Sequence, residues 1–174
     1  MLFCAASTSY NEIIWTKHDP LVWDDFSHKP MNEHFAALTA TGISYSFTSK
    51  HTSFEIEVFA VFDRDESWVN KTFANEKLLA HEQVHFDITE LWTRKLRKSI
   101  EEADFVNAEI LNSFYNVHLS DLRRMQAFYD EETHHSLQST EQQRWVNFVK
   151  KELQVLDAYQ SSIIIRRNPI VVRQ

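Results

Sequence analysis

The chain predicts an α+β fold in which an N-terminal antiparallel β-hairpin packs on a long helix followed by two further helices. Three observations carry this. Apolar and polar side chains alternate over residues 43–58, and beyond Trp68 the apolar period lengthens to that of a helix and stays there. The 174 residues also contain a single glycine, Gly42, which argues against a barrel or sandwich rich in tight turns.

Met1-Leu2-Phe3-Cys4-Ala5-Ala6-Ser7 is apolar and then small. It has the character of a signal-peptide remnant and equally of an ordinary frayed terminus, so residues 1–12 are read as an N-terminal segment and 13–174 as one domain. The stretch 15–30, with Trp15, Trp23, Phe26, Pro20 and Pro30, reads as irregular structure laid on the core, with Asp24 and Asp25 capping local turns. Ile43, Tyr45 and Phe47 then alternate with Ser44, Ser46 and Thr48, and Phe54, Ile56 and Val58 with Ser53, Glu55 and Glu57, which is a β-hairpin. Its second strand, 54–62, is expected to offer an edge to an extended peptide.

Leu78, His81, His85, Trp92, Leu96 and Ile100 share one stripe, predicting a helix over 73–103. A second stripe runs through Val106, Ile110, Phe114, Val117, Leu122, Met125 and Phe128, with the turn placed in 101–107. A third helix is expected to open on a capping box, Thr140 and Gln143, and to continue through Trp145, Val149, Leu153 and Leu156. The apolar tail 163–172 is an edge strand or an extension.

Composition narrows the function. Hydrophobic residues at 43% exclude a disordered chain, and a net charge of −7 with scattered Lys and Arg gives no basic field for nucleic acid. No apolar run approaches the ~20 residues of a membrane-spanning helix. Cys4 is the only cysteine, so metal binding falls to histidine and carboxylate.

Those residue types meet in His81-Glu82-Gln83-Val84-His85. Four residues apart on a helix, the two imidazoles lie one turn from each other and reach one ion, and Glu82 is placed to take a proton from a metal-activated water. Apolar neighbours on both sides suggest a buried segment, where this polar group needs a partner such as Zn2+. Catalytic zinc takes three protein ligands. Asp87 and Glu90 lie too far round the helix from His85 to join it, so the third comes from elsewhere. If the second helix returns antiparallel, the matching level falls within 117–135. Its far end carries Tyr129-Asp130-Glu131-Glu132-Thr133-His134-His135. His135 and His134 lead the candidates, Glu132 and Glu131 follow, and His118 is weaker.

Leu21-Val22-Trp23-Asp24-Asp25-Phe26, Ser67-Trp68-Val69, Leu79-Ala80-His81-Glu82-Gln83-Val84-His85-Phe86-Asp87 and Tyr129-Asp130-x-Glu132-Thr133-x-His135 together resemble a bacterial family of predicted secreted zinc-dependent proteases, otherwise a domain of unknown function. The resemblance implies a zincin-like fold, a secreted or periplasmic envelope location, and His135 as third ligand. Ser136 and Val84 stand where the family commonly has glycine.

The expectation is therefore a zinc metallopeptidase acting on a peptide or protein substrate. His81, His85 and His135 hold the ion, Glu82 is the general base and Tyr129, or else His134, donates to the oxyanion. Asp87 and Asp130 orient ligand imidazoles. The competing readings are a metal-binding protein without catalysis and an envelope interaction module with a structural zinc.

Overall fold

The computed structural model describes residues 11–27, 35–50 and 53–167. The order is β1 (Glu12–Ile14), β2 (Ala37–Leu38), β3 (Thr41–Ser49), β4 (Ser53–Asp63), β5 (Trp68–Val69), α1 (Glu76–Glu102), α2 (Ala108–Thr133), α3 (Ser139–Val155) and β6 (Ile163–Arg167). Helices and antiparallel sheets make it α+β. The N-terminal segment 1–12, with its signal-remnant reading, lies outside the described residues but for its last two positions.

The alternating segments form the hairpin: β3 and β4 pair antiparallel with Ile43 opposite Ala60, Tyr45 opposite Val58 and Phe47 opposite Ile56. Ile43, Ile56, Val58 and Ala60 are buried, so the apolar sides of both strands face the helices while Ser and Glu face outward. Residues 163–167 of the tail form a strand, β6, beside Ser53–Glu57 of β4, the remainder lying outside the described residues, and β1 covers Val61–Asp63 of the same strand. This corrects the expected edge. β4 is flanked on both sides, and among the described residues β3, like β1 and β6, is paired on one side only. The continuous apolar run 59–62 follows from that interior position.

Asn75 caps α1 by accepting from the Leu78 amide at 3.0 Å, and Asn107 caps α2 by accepting from the Ile110 amide at 2.8 Å. The capping box expected at Thr140 and Gln143 does not form. Ser139 is already helical, so both residues lie inside the first turns and the cap position falls to Gln138. In the irregular stretch, Asp25 caps its turn through the Val22 amide at 2.9 Å and also pairs with Arg64.

α1 lies between the sheet and the other two helices and is buried on most of its circumference. This is why polar residues of its middle turns are internally paired. Glu90 accepts from Arg94 Nε at 2.8 Å and Arg97 Nη1 at 2.9 Å, and Arg97 also donates to the Val58 carbonyl at 2.8 and 3.0 Å. The network fastens α1 to β4 below the histidines. No helix among the described residues is long and apolar enough to cross a membrane.

Candidate metal centre

The turn between α1 and α2 spans residues 103–107, which returns α2 to the level of His85 and His81 at about residues 125 and 129. The residues that meet the histidines come from this stretch. Asp130 Oδ1 lies 3.1 Å from His81 Nε2 and 3.0 Å from His85 Nε2, and the two Nε2 atoms are 3.2 Å apart. Donors at ~2.0–2.1 Å from a tetrahedral zinc stand about 3.3 Å from one another, so this triangle has nearly the edges of a zinc site. His81, His85 and Asp130 form a group that could hold a metal ion.

The opposite ring nitrogens fix what the three atoms present to one another. His81 Nδ1 faces Gln142 Oε1 at 3.0 Å and His85 Nδ1 faces Gln126 Oε1. The Gln126 amide is oriented by its nitrogen, which donates to the His85 carbonyl at 2.9 Å. Gln142 Oε1 also accepts from the Tyr129 hydroxyl at 2.7 Å, while its own Nε2 is buried with no partner among the described residues. A carbonyl oxygen can only accept, so each imidazole donates from Nδ1 and, when neutral, aims a bare Nε2 lone pair at Asp130. Three electron pairs then converge on one point at the base of two buried imidazoles and a half-buried carboxylate, an arrangement that favours a cation. The donor set fits a divalent metal with N and O ligands.

The electrostatics agree in direction. Burial alone would lower the His85 pKa, but the hydrogen bond to Asp130 and the charges of Glu82 and Asp130 outweigh it and hold the imidazole above its ordinary value. Burial likewise works to raise Asp130, and the hydrogen bonds and charges of the two histidines hold it below the usual carboxylate range instead. Positive charge is favoured at this point whatever carries it.

The group opens into a cleft of about 610 Å³. Its walls are Phe35–Thr39, the start of β3 at Thr41–Ile43, the His81–His85 face of α1, and Tyr115, Leu119, Leu122, Arg123 and Gln126 of α2. Glu82 lines it beside the histidines, 4% exposed, with Oε2 accepting from Thr39 Oγ1 at 2.6 Å.

Other expected residues stand elsewhere. His135 is not in the three-donor group: it follows the end of α2 in a run of left-handed residues, His134, His135 and Ser136, and its side chain is 59% exposed. It still lines the cleft, with Nδ1 3.3 Å from Asp130 Oδ1. Asp130, expected to orient a ring from behind, takes the position expected of His135, because the helix reaches the histidines' level before it ends. Tyr129 does not face the cleft. Its ring stacks on His81 at 4.6 Å, its hydroxyl is committed to Gln142 and the His81 carbonyl, and burial raises its pKa, so it backs the His81 ring with its proton already donated. Asp87 bonds no histidine among the described residues; it accepts from Trp15 Nε1 at 2.8 Å and Gln83 Nε2 at 2.9 Å and so ties the N-terminal stretch to the back of α1. Glu132 joins α2 to α3 through Trp145 and Arg144. His134 is the exposed C-cap of α2, and His118 bonds the Phe114 carbonyl and Ser99. Gln126, Gln142 and Thr39 were not foreseen, since a search for ionisable ligands passes over amides and hydroxyls.

No protein-family model, no curated protein and no solved structure matches the chain.

Proposed function

We propose that this protein is a zinc-dependent hydrolase, a metallopeptidase that cleaves peptide bonds in a peptide or protein substrate outside the cytoplasm. The carrying observation is the convergence of three lone-pair donors, His81 Nε2, His85 Nε2 and Asp130 Oδ1, on one point beside a buried glutamate in an open cleft. A zinc ion held by His81, His85 and Asp130 would supply a water acidified towards neutrality and a Lewis acid for the scissile carbonyl.

The chain's own residues do the rest. Glu82 accepts the proton released as water attacks the carbonyl and delivers it to the departing nitrogen. Gln126 and Gln142 hold both imidazoles in the tautomer that exposes Nε2, and Tyr129 fixes the His81 ring from its other face. The one-sided strand β3 borders the cleft through Thr41–Ile43, where an extended substrate could add as a further strand. A long helix carrying the motif beside such a strand supports the zincin-like reading.

A second reading rests on His135. Its Nδ1 stands 3.3 Å from Asp130 Oδ1, and a swing of this exposed side chain toward the two imidazoles would make it a fourth donor, close the site and leave zinc a structural role.

The test is elemental analysis of the purified protein together with a peptide-library digest. The expected result is about one zinc per chain, with Glu82→Gln retaining the metal while turnover falls by ~10² or more. Unchanged turnover in that variant would refute the mechanism, and a zinc-loaded wild type that cuts nothing would favour the closed site.

A further inference from the structure

Thr39 lies in the two-residue link between β2 and β3, outside every motif of the sequence, yet its hydroxyl reaches Glu82 Oε2 at 2.6 Å. The backbone around it is fastened on both sides. The Ala36 carbonyl accepts from the Asn70 amide at 2.9 Å, β2 pairs with β5, and Ala40 is held by the Ser67 hydroxyl and the Asp63 amide, each at 2.9 Å. A hydroxyl on so constrained a backbone is a placed donor.

Its effect on Glu82 follows from the carboxylate's geometry. A hydroxyl proton directed at Oε2 removes the freedom of the carboxylate to rotate about its last bond and strengthens the contact through the negative charge. Among the described residues no donor reaches Oε1, so one oxygen of this cleft-lining carboxylate is anchored and the other is left without a hydrogen bond. A general base works only when the accepting oxygen is already aligned with the water it deprotonates. We infer that Thr39 is the positioning residue for the general base, holding Glu82 Oε2 so that Oε1 presents to the water. This rests on the hydrolase reading above and adds to it a residue from the roof of the cleft.

Thr39→Val keeps the shape and removes the donor, and Thr39→Ser restores a hydroxyl. Both are compared with wild type and with Glu82→Gln in zinc-loaded protein by kinetics and in cobalt(II)-substituted protein by visible absorption. The expected result is unchanged metal content in Thr39→Val, kcat lower by roughly tenfold with KM unaltered, and recovery to within about threefold in Thr39→Ser. Adding Thr39→Val to Glu82→Gln should produce no further loss, because the threonine acts only through the glutamate. The cobalt band should shift in Thr39→Val and return in Thr39→Ser, and this readout decides the matter even where no cleaved peptide has been found. A Thr39→Val protein equal to wild type in both readouts, a Thr39→Ser protein as impaired as Thr39→Val, or a further loss in the Glu82→Gln background would overturn the positioning role while leaving the hydrolase reading intact. Failure of the wild type to bind cobalt or zinc would overturn both.

Discussion

Removing the Asp130 carboxylate should separate the three-donor site from one completed by His135. Its Oδ1 forms two edges of the donor triangle, 3.0 and 3.1 Å, and brings the only negative charge among the three donors. A four-ligand zinc site binds with ~10–16 kcal/mol, so one ligand carries about 2.5–4 kcal/mol, or 10²–10³-fold in Kd. His135 is more than half exposed and stands against Asp130 rather than in the triangle, so its loss should weaken binding less than about tenfold. The assay is a competition titration with a chromophoric chelator on Asp130→Ala and His135→Ala, with metal content after dialysis as a second measure. Zinc retained within threefold by Asp130→Ala and lost by His135→Ala would refute the geometric argument and return the third position to His135.

Three further outcomes follow from the same packing. Glu90→Ala should destabilise the fold by about 3–5 kcal/mol, because Arg94 and Arg97 stay buried without their shared carboxylate; urea unfolding measures this, and a change under 1 kcal/mol would contradict it. Tyr129→Phe keeps the ring against His81 and removes the hydroxyl's bonds to Gln142 and the His81 carbonyl, so turnover should fall by less than about tenfold; a loss of ~10² would restore Tyr129 as an oxyanion donor. Burial raises the Asp87 pKa despite the opposing hydrogen bonds from Trp15 and Gln83, so the folded state holds that proton more tightly than the unfolded chain. Its contribution to stability is therefore present below the unfolded value, near 3.8, and is lost as pH rises through the folded one. Asp87→Asn retains an acceptor oxygen, and its melting temperature should pull ahead of wild type as pH climbs from about 4 to 7; a gap that is constant or shrinks with pH would rule this out.

The legible parts were those set by short-range geometry. His81, Glu82 and His85 share a face because a helix repeats every 3.6 residues, and Ile43 through Val58 form a hairpin because a strand repeats every two, so neither depends on the rest of the molecule. The helical hairpin follows from its stripes, and Asp130 is expected behind a ligand imidazole, whereas the structure sets its Oδ1 against both Nε2 atoms. That difference has a physical source. The level at which α2 meets the histidines depends on where the turn is centred, and the charged stretch 101–107 did not fix its centre at 105 or show that the helix ends at Thr133, leaving His135 in a left-handed turn at the edge of the three-donor group.

Sequence alone thus determined the fold class, the pair of imidazoles and the glutamate beside them, all products of local periodicity. Tertiary structure decided what faces them. Asp130 and Gln126 arrive on α2, Gln142 on α3 and Thr39 on the link between two strands, at separations of 41 to 61 residues. Whether such residues meet depends on helix phase, turn length and the pairing of strands, which are settled by burying the apolar faces of α1 against everything around it.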